Sequence, residues 1–442
     1  MSKLNFLIII LILFSSCSFN KKSKFWTSPK EIKQEENLPV FEEIFPTQEA
    51  LEKEFNSNLR IKLTSKTVNS TYDNNYLNNN NRVNFDGNLK KSSRYKFSKI
   101  DNFSQYQPEI SFYKNNIIFF DNKGSILQFN ENSKLIWKKN YYHKLEKKLK
   151  PILQFVNNGK FLVVADNIAK YYMLDIETGD LIWSKKNLAP FNSQIKIYKD
   201  KFFVIDLSNT LRCFSLKDGS ELWYINTQNS LIRTQKKLSM VIVDKKIYFN
   251  NSIGDISAVD IEKGELLWQL PTQSSLIYES AFSLKTSDII SDKNALFFSN
   301  NKNQFFSIDI NTGTLNWEQK INSDLRPTLI DNYIFTVSLE GYLIILEKNT
   351  GNIIRITDIF KKFNKKYLWE DKRLRDSITP VGFIVGKKYV YLTTNKGRLH
   401  LIDVNTGQTD KILKIDKERI SRPSVSDQNL YIIKDNSIIK LN

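Results

Sequence analysis

Few side chains in this 442-residue chain are suited to covalent or metal chemistry. The sequence contains two cysteines, Cys17 and Cys213, and two histidines, His143 and His400. Two distant cysteines cannot supply a disulfide framework or a cysteine-based zinc site, and two histidines cannot build a histidine-rich metal centre. The sequence also lacks a glycine-rich phosphate loop, a CxxC pair and a Ser-His-Asp arrangement. We therefore predict no catalytic residue, no cofactor and no metal site.

Cys17 directly follows a segment that is typical of an export signal. A short basic start, Met1–Lys3, precedes an apolar run to Phe14, and two serines come before the cysteine. The apolar run is too short for a permanent transmembrane helix, but it fits the core of a signal peptide. The sequence FSSC ending at Cys17 resembles a bacterial lipobox, with Phe14 in place of the usual leucine. In a lipobox the thiol takes a diacylglycerol and becomes the new N-terminus.

The resemblance implies a signal peptide over residues 1–17 and lipidation of Cys17. An ordinary cleaved signal with an incidental cysteine is the alternative. Several acyl chains would anchor the protein to a membrane stably. Because Ser18 and not aspartate follows the cysteine, the sorting rule for such lipoproteins implies the outer membrane of a Gram-negative bacterium, facing the periplasm. Cys213, within the apolar run Leu211–Phe214, is expected to be a buried small hydrophobe.

Residues 18–92 differ from the rest of the chain. Lysines follow Cys17, prolines and glutamates come next, and residues 74–82 read NNYLNNNNR. This composition predicts a low-complexity tether. Thr47–Phe55 has a candidate N-cap and could form a short helix within it. The composition is compatible both with a tether that docks on the folded body and with a mobile one.

The overall charge is strongly positive. The chain has 65 Lys and Arg against 47 Asp and Glu, a net charge of +18. One interpretation is a compositional bias toward Lys, Asn and Ile; the other is contact with an anionic surface such as lipid headgroups. Nucleic acid is excluded as a partner by the export signal. Hydrophobic residues at 41% exclude disorder of the whole chain.

From about residue 110 the chain repeats a short pattern, D-x-x-T/K-G-x-x-x-W. Four copies are clear and end at Trp183, Trp223, Trp268 and Trp317. Three weaker copies end at Trp137, Ile354 and Lys411. The turn residue of each copy, in chain order, is Ser133, Gly179, Gly219, Gly264, Gly313, Gly351 and Gly407.

The spacing of these turns predicts the fold. Successive turns are separated by between 38 residues (Gly313 to Gly351) and 56 residues (Gly351 to Gly407), which fits one four-stranded propeller blade for each repeat. Seven turns give seven blades. The last segment, residues 430–441, adds two strands without an outer strand, which the region Ser93–Ile100 could supply, since an open ring leaves unpaired edges. We therefore predict an all-β, eight-bladed propeller over residues 93–442, with seven blades as the alternative.

The repeat resembles that of pyrroloquinoline-quinone-type propellers, in which the tryptophan packs between adjacent blades. The resemblance implies a structural, blade-docking role for Trp137, Trp183, Trp223, Trp268 and Trp317. A lipidated chain of this length with eight such repeats is similar to the propeller lipoproteins of the outer-membrane β-barrel assembly machinery. That resemblance implies a non-catalytic scaffold, a single copy within a complex, which binds the periplasmic domains of the barrel-insertion protein.

The same resemblance suggests partner-binding residues. Residues 229–233, NSLIR, resemble a Leu-x-Leu-Arg contact segment of that family, with Ser230 in place of the first leucine, and they implicate Leu231, Ile232 and Arg233. The family's acidic contact has its nearest equivalent at Asp288. An exposed apolar pair beside an arginine is a reasonable interface anchor. The alternative is that Leu231 and Ile232 begin a strand and pack inside.

Two other functions are compatible with a propeller. A quinone-dependent dehydrogenase would need a cofactor, a calcium ion and an aspartate base in the central funnel, and the adjacent cysteine pair of those enzymes is missing. A propeller that binds a glycan or another envelope ligand would use the basic insertion at residues 360–377, which carries Tyr367 and Trp369. The alternative for that insertion is a solvated excursion whose tryptophan packs on the propeller.

Overall fold

The computed structural model describes residues 51–442 with gaps. The residues outside the description are 1–50, 52, 73–74, 102, 104–105, 107, 228–232, 235, 273–283 and 362–376. The signal peptide, Cys17 and the first part of the predicted tether therefore lie outside the described residues. Within the described residues, no helix combines the length and the apolar composition needed to cross a membrane.

The described strands form eight antiparallel sheets of four strands, and each sheet is one blade of a β-propeller. The prediction of eight blades is confirmed, and the seven-bladed alternative is wrong. Blades 1 to 4 contain β2 (Ser111–Tyr113), β3 (Asn116–Phe120), β4 (Ile126–Phe129) and β5 (Leu135–Lys139); β6 (Leu153–Asn157), β7 (Phe161–Asp166), β8 (Lys170–Asp175) and β9 (Leu181–Lys186); β10 (Lys196–Tyr198), β11 (Lys201–Ile205), β12 (Thr210–Ser215) and β13 (Glu221–Asn226); and β14 (Met240–Val243), β15 (Lys246–Asn250), β16 (Ile256–Asp260) and β17 (Leu266–Leu270).

The remaining blades follow the same order, except that the last one takes a strand from the N-terminal side. Blades 5 to 8 contain β18 (Ile290–Ser291), β19 (Ala295–Asn300), β20 (Gln304–Asp309) and β21 (Leu315–Gln319); β22 (Thr328–Ile330), β23 (Tyr333–Val337), β24 (Tyr342–Glu347) and β25 (Ile353–Asp358); β26 (Pro380–Val385), β27 (Tyr389–Thr394), β28 (Arg398–Asp403) and β29 (Thr409–Lys414); and β30 (Ser424–Ser426), β31 (Asn429–Lys434), β32 (Ser437–Leu441) and β1 (Lys91–Lys96). The helices described are a 3₁₀ turn, Asn75–Leu77, and α1, Lys144–Lys148.

The ring is closed by β1, as the sequence predicts. It pairs antiparallel with β32, with Arg94 opposite Ile439. Tyr95 on this strand is fully buried, and its hydroxyl donates to the carbonyl of Glu131 in blade 1 at 3.0 Å. One strand from the beginning of the propeller thus completes the blade formed by its end, and no open edge remains between blades 8 and 1.

The repeated turn connects the third and fourth strands of a blade. In blade 2, the backbone N–H groups of Glu177 and Thr178 donate to the Asp175 carboxylate at 2.9 Å. Gly179 adopts φ +73°, and a Cβ there would lie 2.9 Å from the indole of Trp137. The glycine therefore meets two needs, a left-handed backbone and close approach of the tryptophan from the preceding blade.

The core lies mainly between neighbouring blades. One cluster, for example, joins blades 2 and 3 and includes Val163, Phe202 and Phe214, all with at most 1% exposure. Cys213 is fully buried on β12, and burial raises the pKa of its thiol to about 12, which keeps it protonated and unreactive at neutral pH.

Part of the predicted tether, residues 18–92, docks on the propeller. Described residues between 55 and 90 form backbone hydrogen bonds with it. Phe55 is not helical; it exchanges two backbone hydrogen bonds with Ile356 on the outer strand of blade 6, at 3.1 and 2.8 Å. Further along, Val83 donates to the carbonyl of Val385, the last residue of β26, at 2.8 Å. The long-range partners of this segment were not visible in its composition.

Candidate functional site

Residues 75–81, here called the Asn loop, enter the axial channel of the propeller. The Asn78 side chain is 4% exposed. Its amide nitrogen lies within 3.2 Å of four oxygens, contributed by Gln194, Ser239, Met240 and Ile289. These acceptors belong to or directly precede the inner strands of blades 3, 4 and 5. The low-complexity sequence is therefore a specific, buried part of the axis.

Asn79 and Lys196 extend this hydrogen-bonded contact. The Asn79 amide donates to the carbonyl of Leu329 at 3.2 Å, and its oxygen accepts from the Leu329 N–H at 3.0 Å. The Lys196 ammonium, on the inner strand of blade 3, donates to the Asn75 and Asn78 side-chain oxygens at 3.0 and 2.5 Å. Burial, reinforced by the charge of Arg326, lowers the pKa of Lys196 to about 7.

A group of five charged side chains, here called the ion network, crosses the channel beside the Asn loop. Asp288 accepts from Arg326 at 2.5 Å and from Arg422 at 3.3 Å. Glu109 accepts from Arg422 at 2.6 Å, and it lies 3.3 Å from both Arg326 and the Lys237 ammonium. These residues come from blades 1, 4, 5, 6 and 8, so the network joins distant parts of the ring.

The field at the ion network is positive. Burial raises carboxyl pKa values, yet the pKa of Glu109 is lowered to about 2 because Lys237, Arg422 and Arg326 outweigh burial. The pKa of Asp288 is lowered as well, by Arg326, Arg422 and Lys237. Both carboxylates stay ionised at neutral pH because cations surround them.

A cavity of about 250 Å³ adjoins the ion network. Among its charged lining residues, five are cationic and three are acidic. The cationic ones are Lys236, Lys237, Lys285, Arg419 and Arg422, and the acidic ones are Glu109, Asp288 and Asp324. Apolar surface comes from Pro108, Ile110 and Ile433, and aromatic surface from Tyr72 and Tyr106.

The channel residues do not fit the calcium and quinone of a propeller dehydrogenase. Calcium needs several oxygen ligands that are open to the metal. The carboxylates of the ion network, Glu109 and Asp288, are both paired with Arg326 and Arg422. Among the described residues, no cluster of three His, Cys, Asp or Glu side chains could hold a metal ion.

The structure describes two of the four predicted partner-binding residues, Arg233 and Asp288. Leu231 and Ile232 lie outside the described residues. Arg233 is exposed at the start of a segment fixed by the Asn192 amide, which donates to the carbonyls of Thr234 and Lys236 at 2.8 and 3.1 Å. Asp288, the predicted acidic contact, belongs to the ion network and is 9% exposed. The sequence alone could not show this, because the chain returns to the axis just before Asp288.

The tryptophans lie at the seams between blades. Trp183 donates its indole N–H to the carbonyl of Leu216 in the following blade at 3.0 Å. The same bond joins Trp223 to the carbonyl of Ile261, Trp268 to that of Ile310, and Trp317 to that of Lys348. Trp137 packs against Gly179 without such a bond to a described residue.

Arg355 is a structural residue that the sequence analysis missed. It lies four residues after the turn at Gly351, which is the tryptophan position, so the predicted end of that repeat at Ile354 is off by one. Arg355 is fully buried and donates to the carbonyl of Val404 in blade 7 at 3.0 Å, the bond that tryptophan makes elsewhere. It also donates to the carbonyl of Leu59 at 2.9 Å, which ties the N-terminal segment to the seam. Counting four residues from the turn glycine Gly351 identifies Arg355 in the sequence.

The insertion at residues 360–377 is described only at its ends. Phe360 is fully buried and packs edge-on against His400, with the ring centres 5.3 Å apart. Tyr367 and Trp369, on which the glycan hypothesis depends, lie outside the described residues.

Comparison with known proteins places this architecture in a family. A family model described as outer membrane protein assembly factor BamB matches residues 122–357, more than half of the chain. BamB of Shewanella oneidensis is 24% identical over 330 residues, which cover 63% of this chain and 80% of the relative. An uncharacterized protein of Rickettsia conorii is 20% identical over 86% of this chain and 92% of its own length.

The fold agrees with a solved structure of that family. The crystal structure of BamB from Moraxella catarrhalis superposes with a TM-score of 0.63, and the match covers 80% of this chain and 99% of that one. At 16% identity, this likeness shows the fold alone. The family model and the eight-bladed fold agree, and the chain belongs to the family of outer membrane protein assembly factor BamB.

Proposed function

We propose that this protein is a non-catalytic scaffold lipoprotein that assists the assembly and insertion of outer-membrane β-barrel proteins. It binds the periplasmic domains of the barrel-insertion protein and is held at the outer membrane through acylated Cys17. The observation that carries the proposal is the match of the assembly-factor family model over residues 122–357, which include strands of blades 1 to 6. The lipobox-like sequence before Cys17 supports the location.

The axial channel supports a scaffold more than an enzyme. The Asn loop fills part of the channel with the chain's own side chains, and the carboxylates of the ion network are paired with arginines. The exposed loops and blade edges then remain as the surfaces on which protein partners can bind.

The partner surface that we propose is centred on Leu231, Ile232 and Arg233. Arg233 is exposed, and the hydrogen bonds of Asn192 fix the chain directly after it. An arginine that precedes a hydrogen-bonded stretch of backbone and follows two apolar residues in sequence is suited to anchor an interface, because its planar group makes directional bonds.

The test is binding of the purified full chain to the purified periplasmic domains of the barrel-insertion protein. Charge reversal in Arg233→Glu should weaken binding by at least about tenfold, the effect of losing an interface hot spot. Arg60→Glu is the matched control, since it makes the same charge change at another exposed arginine. Equal weakening by both variants would mean that net charge alone governs binding and would contradict this placement. No binding by the wild-type chain would contradict the proposed function itself.

A further inference from the structure

The axial cavity holds cations that the chain itself does not neutralise. Arg419 and Lys285 both line the cavity, and neither makes a side-chain hydrogen bond or an ion pair with a described residue. Arg419 is half-buried and Lys285 is exposed. Burial lowers the pKa of Arg419, although the charge of Asp324 opposes the effect. Asp324 is already paired with Lys236 at 3.3 Å, so Arg419 has no counter-charge of its own, and partial burial of such a guanidinium is unfavourable. Such an arrangement is expected where a ligand supplies the missing negative charge.

The neighbouring ion network strengthens this attraction. Glu109 and Asp288 could repel an anion, but each is paired with Arg326 and Arg422. Their pKa values are lowered in spite of burial, which shows that the local field favours negative charge. A ligand carboxylate beside the ion network would experience the same field.

The apolar part of the lining indicates an organic ligand. Ile110 and Ile433 are each 3% exposed, and Tyr72 adds an aromatic side chain beside them. A cavity of about 250 Å³ has room for roughly eight water molecules at ~30 Å³ each, and therefore for a small organic molecule. An inorganic anion would leave this apolar surface uncovered.

We propose that the axial cavity binds a small organic carboxylate, with the carboxylate at Arg419 and Lys285 and the apolar body against Ile110 and Ile433. This inference goes beyond the proposed function and is independent of it. The cavity can bind its ligand in a chain that has no barrel-assembly partner, and the chain can bind that partner without a ligand in the cavity.

The experiment is calorimetric titration of the full chain with 3-phenylpropionate. The uncharged 3-phenylpropionamide and inorganic phosphate are titrated in parallel. We expect 3-phenylpropionate to bind with a Kd of about 1 mM or tighter, and both other probes to bind at least about tenfold more weakly. Raising the salt concentration should weaken the binding, because the attraction is electrostatic.

Variants locate the site. The double variant Arg419→Gln/Lys285→Gln should weaken 3-phenylpropionate binding at least tenfold, while Lys185→Gln, on the exposed outer strand of blade 2, should change it less than twofold. Equal thermal unfolding midpoints would show that the variants are folded. Equal binding of the acid and its amide, an unaffected double variant, or no binding of the acid would overturn the proposal. Phosphate that binds as tightly as the acid would overturn the assignment to an organic ligand.

Discussion

The axial channel contains two regions that differ in whether their polar side chains are bonded to other parts of the chain. At the Asn loop, the amides of Asn78 and Asn79 are bonded to the inner strands of the blades, and Lys196 is bonded to the loop in return. At the cavity, Arg419 and Lys285 line open space without a partner among the described residues.

The difference distinguishes a region of the channel that stabilises the fold from a region that is suited to bind a ligand. Where polar side chains such as Asn78, Asn79 and Lys196 have partners in the same chain, the hydrogen bonds can specify one arrangement and add stability. Where cations remain without partners, they add no stability, and a ligand can supply their counter-charge. We therefore expect substitutions in the first region to change stability and substitutions in the second to change ligand binding.

The largest effect on stability is expected for Asn78→Ala. The substitution removes the amide that lies within 3.2 Å of four buried oxygens, and it also removes an acceptor of Lys196. At ~1 kcal/mol for each hydrogen bond, we expect a loss of about 3 kcal/mol in the free energy of unfolding. Urea unfolding of the full chain measures it.

Asn88→Ala is the matched control, because Asn88 is exposed in the same N-terminal segment. It should change the free energy of unfolding by less than about 0.5 kcal/mol. If the two substitutions have equal effects, the Asn loop does not stabilise the propeller.

A smaller effect is expected for Asp288→Asn at the ion network. The change leaves Arg326 and Arg422 with Glu109 as their remaining carboxylate, and we expect a loss of about 2 kcal/mol at pH 7. Because the pKa of Asp288 is lowered in the folded state, its contribution is fully present above the unfolded-state pKa of about 4 and declines as the pH falls below that value. Unfolding measured from pH 7 to 3 should show the difference between the two proteins beginning to shrink below about pH 4; a constant difference would contradict the ion pairing.

The charge of Lys196 predicts a pH dependence of similar or smaller size. Its pKa is about 7 in the folded protein and near 10.4 when unfolded. Between these values only the unfolded state binds the proton, so stability should rise with pH by about 1 kcal/mol per unit from pH 7 to 8. Lys196→Met should remove this rise, and an unchanged slope in the variant would contradict the burial of a titrating lysine.

The smallest effect on stability is expected for Arg419→Gln at the cavity. Because Arg419 has no ion pair with a described residue, its loss should change the free energy of unfolding by less than about 0.5 kcal/mol. Thermal and urea unfolding without added ligand provide the test. A loss as large as that of Asn78→Ala would mean that the two regions of the channel do not differ.

The fold could be read from the sequence because its signals are local. Each turn has a residue such as Gly179 at positive φ, and at five turns a tryptophan approaches that residue closely, so the spacing of these residues counts the blades. The closing strand followed from the same count, since blade 8 lacked its outer strand.

The axial channel could not be read in this way, because its contacts join residues far apart in sequence. Asn78 contacts Gln194 and Ile289, which are separated from it by 116 and 211 residues, and nothing in an asparagine-rich stretch indicates these partners. Asp288 was assigned to a partner loop for the same reason, since its arginine partners come from blades 6 and 8. Arg355 was missed because it replaces the tryptophan that marks the five seams between blades 1 and 6.

The most direct test of the scaffold function is an affinity purification from solubilised cell envelope, with Cys17 intact and the co-purifying proteins identified. We expect recovery of the barrel-insertion protein with the wild-type chain and its loss with Arg233→Glu. Recovery of no component of the barrel-assembly machinery would contradict the scaffold function.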